Sequence, residues 1–446
     1  MSQILETYLA RTPGSRDLYE RSSRVVPGGV HHAQRYYPPY PIYMRTGGGA
    51  TVRDVDGHEY LDLWNAHYAA ILGHAPAFLI DEMRSVVAGG THFGIPSENE
   101  VRFAELLVEV LPGVDKVRFG VSGTEATMYA TRLARAFTNR PTMVKVIGGW
   151  HGANTDLSVA IRPPYDVPES AGLPRDARGS TKAIPFNDID GTRRVLDEVG
   201  DDLAGIIVEP VQGMTFVAGE PEYLSFLRDE THRRGAVLIF DEIIVGFRLE
   251  LGGARAYYDI QPDLSTYGKV AGGGFHLGLV AGRDDIMSLG SAVSSLPKGQ
   301  GVLMAGGTYS CNPLSMVGGR LMVEHLRDHA GTVYPYLDRI GARARAGLSR
   351  AFEAAGLTAQ VTGVGSLASF HVLTEARPPF RAIQDAVGFT DHERGEVLQL
   401  ALLNEGVHTH GGKAALSTAY TEADVDELVA RVERAARATV AETGGN

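Results

Sequence analysis

From about residue 100 to 325, short apolar runs alternate with helical periods. That alternation restricts the chain to a mostly parallel sheet covered by helices. Val117 to Val121 reads as a strand. The helix after it has apolar positions Ala130, Leu133, Ala134 and Phe137, recurring at i, i+3, i+4 and i+7. Further strands are expected at Thr142 to Val146, Leu203 to Val208, Ala236 to Phe240 and Leu277 to Ala281, with a helix at Tyr223 to Arg234. Sheets of this kind bind ligands beyond the carboxyl ends of their strands, which is where Ser122 and Asp241 fall.

The flanks have a different character. Residues 1–60 read as a leading arm. Its runs Val26-Pro27-Gly28-Gly29-Val30 and Tyr36-Tyr37-Pro38-Pro39-Tyr40-Pro41 are too rich in proline and glycine for a stable helix or central strand. From residue 331 helices dominate, with a few strands such as Ser366 to Val372. The last helix opens on Thr421-x-x-Asp424, a capping-box pattern. The expected division is an arm at 1–60, a large domain at 61–330 and a smaller α+β domain at 331–446 packed with the arm.

With 446 residues, 44% of them hydrophobic, the chain can bury a large core in more than one domain. A net charge of −11 argues against nucleic-acid binding, which needs clustered Lys and Arg. Cys311 stands alone, so no disulfide can form within the chain, and it reads as a small buried residue. No basic region followed by an apolar core opens the sequence, and no apolar stretch reaches the ~18 residues of a membrane span. A cytoplasmic protein without metal ligands is expected.

Two segments carry the chemistry. The run Val237-Leu238-Ile239-Phe240 ends in Asp241, an acid that is costly to bury without a partner. The run Leu264-Ser265-Thr266-Tyr267-Gly268 ends in Lys269, with glycines on both sides. A carboxylate that can meet a pyridine nitrogen and a lysine that can condense with an aldehyde point to pyridoxal phosphate. An ion pair between Asp241 and Arg248 is the plainer reading of the acid. Ser122-Gly123-Thr124, between a strand and a helix start, suits an anion, although either hydroxyl could simply cap the helix. Trp150, within Gly148-Gly149-Trp150-His151-Gly152, could lie on a ligand ring or anchor the core. Glu209-Pro210-Val211-Gln212 closes another buried strand. Gln212 there can donate to a phenolate oxygen or sit in a polar turn.

In this order the segments resemble the class III aminotransferases, fold-type-I pyridoxal phosphate enzymes, over nearly the whole chain. The branch they look most like is glutamate-1-semialdehyde 2,1-aminomutase and its aminotransferase relatives. The motifs are Ser-Gly-Thr-Glu-Ala-Thr at 122–127, Arg132-Leu133-Ala134-Arg135, Asp241-Glu242 with Gly246-Phe247-Arg248, and Gly307-Thr308-Tyr309-Ser310-Cys311-Asn312-Pro313.

The resemblance implies a seven-stranded, mostly parallel sheet domain and a smaller α+β domain formed by both termini. It implies that Lys269 forms the Schiff base, Asp241 partners the ring nitrogen, and Ile243 and Trp150 pack on opposite ring faces. Ser122, Gly123 and Thr124 would hold the phosphate, with His151 and Glu209 nearby and Gln212 at the ring oxygen. Thr308 would reach the neighbouring subunit's phosphate in a homodimer with active sites at the interface. Arg35 stands where the aminomutase arm binds a substrate carboxylate.

The arm reads His31-His32-Ala33-Gln34 where the aminomutases have Asn-Ser-Pro-Val. No arginine occurs between Arg394 and Arg431, although Lys413 falls there. The expected activity is transfer of an amino group from an α- or β-amino acid to a keto acid. Tyr36, Tyr37, His67, Tyr68 and Trp150 favour an aromatic or apolar donor. An intramolecular aminomutase is the alternative, and a non-catalytic binding protein is the alternative from another class.

Overall fold

The computed structural model describes residues 2–174 and 180–444. The chain forms two compact units. One comprises Met1–Ala77, Pro335–Phe380 and Ala386–Asn446, and the other Phe78–Tyr334 with Arg381–Asp385. In chain order the strands are β1 (Met44–Gly48), β2 (Thr51–Asp54), β3 (Glu59–Asp62), β4 (Lys116–Gly120), β5 (Thr142–Val146), β6 (Thr181–Ile184), β7 (Leu203–Val208), β8 (Val237–Asp241), β9 (Leu264–Gly268), β10 (Gly278–Gly282), β11 (Ala359–Thr362), β12 (Leu367–Val372), β13 (Val407–His408) and β14 (Lys413–Ala415).

The second unit holds a seven-stranded sheet in the order β4-β10-β9-β8-β7-β5-β6. Its strands run parallel except β10, which is antiparallel to both β4 and β9. Strands β5, β7, β8, β9 and β10 carry no exposed side chain, as a sheet covered on both faces requires. The helix Gly123–Thr138 lays Ala130, Leu133 and Ala134 onto Ile207, Val237, Ile239, Leu264 and Val280. Burial of a side chain such as Leu133 contributes about 1.5–3 kcal/mol. Phe137 departs from the expected apolar face. It is 40% exposed, and the guanidinium of Arg283 lies over its ring.

The first unit contains the sheet β1-β2-β3-β13 and the sheet β11-β12-β14. The leading segment is more regular than its composition suggests, with helices at Gln3–Arg11 and Pro13–Ser23. Between Pro27 and Pro41 only 3-10 turns form, as the prolines and glycines dictate. The closing helix Glu422–Thr443 begins with a complete capping box between Thr421 and Asp424. Among the described residues no helix is long and apolar enough to cross a membrane.

Candidate active site

Asp241 is the last residue of β8 and is 4% exposed. A carboxylate so placed must be met by donors. Its Oδ1 accepts from the Ile243 N–H at 3.2 Å and from the Thr266 hydroxyl at 3.1 Å. Thr266 is its register partner on β9, so the sheet itself supplies that donor. Oδ2 lies 2.7 Å from Nδ1 of His151. Burial pushes the His151 imidazole below its usual range, against the opposite pull of Asp241. A neutral ring with its Nδ1–H donated to Asp241 follows, and Nε2 is buried with no hydrogen-bond partner among the described residues.

One strand over, Lys269 follows the end of β9 with φ 44°, a left-handed conformation that costs about 1 kcal/mol or more outside glycine. Burial pushes its amine down to about 8, while the charges of Asp241 and Glu209 act in the other direction. An amine so tuned exchanges its proton near neutrality, as a nucleophile or base requires.

At the end of β4, Ser122 caps the helix Gly123–Thr138, its hydroxyl accepting from the Glu125 N–H at 3.2 Å. Capping, the simpler of the two roles open to Ser122, is thus realised. The helix leaves first-turn N–H groups without intrahelical acceptors, which suits an anion. Two close approaches shape this turn. A Cβ at Gly278 would stand 1.9 Å from the Ser122 carbonyl oxygen, and one at Gly123 would stand 3.1 Å from Cδ1 of Ile243. Only glycine lets β10 pack so tightly at 278, while a side chain at 123 would press on Ile243. Thr124 Oγ1 accepts from the Ala153 N–H at 3.2 Å, joining this turn to the segment that carries Trp150 and His151.

That segment is fixed by two buried ionisable groups. Glu209, after β7, accepts the N–H of Trp150 at 3.0 Å and of Gly213 at 3.2 Å. Burial first, then the charge of Asp241, raises its carboxyl to about 8. Lys145, wholly buried on β5, donates to the carbonyls of Gly149, Leu157 and Val159 at 2.7, 3.1 and 2.9 Å. Lys145 was not anticipated. A lysine in the strand Thr142–Val146 reads as a solvent-facing residue, and only its three acceptors show otherwise. The Trp150 indole is 45% exposed.

Gln212 is buried, with Nε2 donating to the Ile147 carbonyl and Oε1 accepting from the Ile383 N–H, both at 3.0 Å. One amide hydrogen is left for a ligand. Behind Asp241, Glu242 accepts from the Ser265 and Tyr267 hydroxyls of β9 at 3.1 and 3.0 Å, which holds the two strand ends in register. Thr308 is exposed beside Tyr309, itself 64% exposed. Arg35 lies exposed at the end of the turn Ala33–Arg35 in the first unit. Cys311 is only partly buried.

The donor set fits pyridoxal phosphate. An acid is held at one strand end, a near-neutral amine at the next, and a helix N-terminus opens beside a strand of the same sheet. These features define a fold-type-I pyridoxal-phosphate enzyme. The chain belongs to the class-III aminotransferase family, whose profile (Aminotransferase class-III) matches residues 32–414. The glutamate-1-semialdehyde 2,1-aminomutase of Methanothermobacter thermautotrophicus is 41% identical over 357 residues, covering 79% of this chain and 82% of the relative. Among solved structures, an omega-transaminase from Sphaerobacter thermophilus superposes with a TM-score of 0.87 at 34% identity, covering 97% of this chain and 99% of the other. A beta-phenylalanine aminotransferase from Variovorax paradoxus gives 0.85 at 30% identity, covering 96% of each chain. The protein is a pyridoxal-phosphate-dependent enzyme of this family.

Proposed function

We propose that this enzyme is an aminotransferase that moves an amino group from an α- or β-amino acid with an aromatic or apolar side chain to a keto acid, as a cytoplasmic homodimer. The observation that carries the reading is the convergence of Asp241 and Lys269 at the ends of adjacent strands, each drawn from bulk water. Pyridoxal phosphate, when bound, supplies an aldehyde for the amine and a ring that accepts electrons from the substrate carbon.

The chain's own residues would divide the work. Lys269 would hold the cofactor's aldehyde through Nζ and, when free, would carry a proton at Nζ to and from the substrate carbon. Asp241, braced by His151, Thr266 and the Ile243 N–H, would partner the ring nitrogen. Ser122, Gly123 and Thr124 hold the phosphate at the helix N-terminus. Ile243 and Trp150 bound the ring, Gln212 offers its remaining amide hydrogen to the ring oxygen, and Glu209 fixes Trp150 through its backbone. Arg35 receives a carboxylate as a bidentate partner. Exposed Phe93, Ile95, Leu303 and Tyr309 supply apolar surface for a second copy, to which Thr308 would contribute.

The aminomutase-named relatives favour a second reading, an intramolecular amino shift on glutamate-1-semialdehyde. Two structural neighbours named as transaminases favour the first. A panel of amino donors with pyruvate and 2-oxoglutarate separates them. Consumption of a separate keto acid supports transfer, whereas turnover of glutamate-1-semialdehyde alone overturns it.

A further inference from the structure

The segment that leaves β5 at Val146 and returns at Ala160 carries Trp150 and His151 and has no strand or α-helix of its own. Its two legs meet where the Gly148 N–H donates to the Ala160 carbonyl at 2.8 Å. Just inside that closure, Lys145 Nζ reaches the Gly149 carbonyl on the outgoing leg at 2.7 Å. It reaches the Leu157 and Val159 carbonyls on the returning leg at 3.1 and 2.9 Å. An ammonium has three hydrogens, and this loop takes all of them. A charge is costly to bury, and a lysine that only filled the space under a loop could give way to an apolar side chain of similar length.

The carbonyls give this charge a more particular task. The Gly149 carbonyl and the Trp150 N–H belong to one peptide unit. Lys145 holds its oxygen, and a Glu209 oxygen accepts its N–H at 3.0 Å. The peptide dipole is therefore gripped at both ends by buried ionisable groups, a cation on the carbonyl and an acid on the amide. The Trp150 indole is 45% exposed, so packing constrains it only in part and the backbone sets where it starts. The next residue is tied as well. The His151 carbonyl accepts from the Thr127 hydroxyl at 2.7 Å, and Nδ1 meets Asp241 at 2.7 Å. Burial lowers the His151 imidazole, Asp241 pulls it back, and the Lys145 charge lowers it again, which favours the neutral ring that donates to Asp241. Burial brings Lys145 itself down to about 8, with the charges of Glu209, Glu169 and Asp241 acting the other way, so it is mostly cationic at neutral pH.

We propose that Lys145 is a positioning residue for the cofactor: its ammonium pins the loop 147–160 at the base and, with Glu209, clamps the Gly149-Trp150 peptide so that the indole is presented to the pyridoxal ring. Lys145 touches neither substrate nor reacting atoms and acts through Trp150 and His151. The inference rests on the reading above that Trp150 bounds the ring.

The chain has two tryptophans, so Trp64→Phe leaves Trp150 as the only indole, and its fluorescence reports on the loop. In that background the holoenzyme's emission should be quenched by the cofactor and recover when pyridoxal phosphate is removed. Absence of that quenching sinks the reading of Trp150, and the present proposal with it. Adding Lys145→Met should relieve the quenching, open the indole to acrylamide and speed release of pyridoxal phosphate on dialysis roughly tenfold. Quenching present in the parent and unchanged by Lys145→Met sinks the proposal alone. A lysine that merely stabilises the fold predicts a lower melting temperature with fluorescence and cofactor release unaltered, and that result also overturns it. A second measurement needs no variant, so it decides even if Lys145→Met does not fold. In the wild-type holoenzyme the Trp150 amide should exchange its hydrogen on the order of 10²-fold more slowly than an unprotected amide, and most of that protection should survive removal of the cofactor, because the clamp is made of the chain's own groups. Exchange at the unprotected rate refutes the clamp. Failure of the donor panel would leave all of these results untouched.

Discussion

The strand-end site of the second unit and the glycine hairpin at 410–413 in the first are built in opposite ways. Around Asp241 nearly every polar group has a partner fixed by sheet register, with Thr266 opposite Asp241 and Ser265 and Tyr267 on Glu242. Around Lys413, on the turn His410-Gly411-Gly412-Lys413, no carboxylate pairs with the ammonium among the described residues, and Trp64, which packs on His410, leads into the left-handed residues 65–68. The contrast teaches where each job is placed. Chemistry common to a family needs groups held by regular structure, while selection among substrates can be given to irregular segments that change without disturbing a sheet.

The sharpest way to break this contrast is Lys269→Ala. Turnover should fall by about 10⁴-fold or more, and the visible absorbance of the bound cofactor should vanish. An unchanged spectrum would remove Lys269 from the site. Asp241→Asn should still take up cofactor but slow turnover roughly 10²–10³-fold, measured as kcat at saturating donor. His151→Ala, which removes a brace and not a reacting group, should cost about 10–100-fold in rate with cofactor still bound. A larger loss than in Asp241→Asn would mean that the imidazole acts directly.

Smaller effects sharpen the comparison in stability. Leu133→Ala should destabilise the second unit by about 2–5 kcal/mol in chemical denaturation while leaving the cofactor spectrum intact. Glu209→Gln probes a raised carboxyl of the strand-end site. Folded Glu209 keeps its proton up to about 8, whereas an unfolded glutamate releases it near 4.5. The folded chain binds the extra proton in that window, so stability falls as pH rises from about 4.5 to 8. Glu209→Gln should flatten that slope, and denaturation midpoints at two pH values within the window would show it. A slope equal to wild type would place the proton elsewhere.

The strand-end site was legible because its residues close apolar runs. Asp241 and Lys269 sit where a buried strand stops and Ser122 where the half-buried β4 does, and the end of each apolar run marks that point. What escaped depends on long-range geometry. The pairing of His151 with Asp241 joins positions distant in sequence, and the three carbonyls around Lys145 belong to a loop with no pattern of its own. The antiparallel sense of β10 leaves no mark on composition. Phe137 fits a helical stripe but is left partly exposed under the Arg283 guanidinium, a long-range contact with no local signal. The left-handed turn at 65–68 contains no glycine, so the usual local signal was missing. The helices of the leading segment were masked by the proline-rich run that follows them.

The place of β10 has a consequence for how the protein is made. Edge strand β4 touches the sheet only through β10, which is translated long after it. On the ribosome, the segment leading into Ser122 therefore waits as an open edge until residues 278–282 emerge, a standing invitation to mispairing. Nascent chains stalled before Gly278 should need chaperone protection that chains stalled after Gly282 do not.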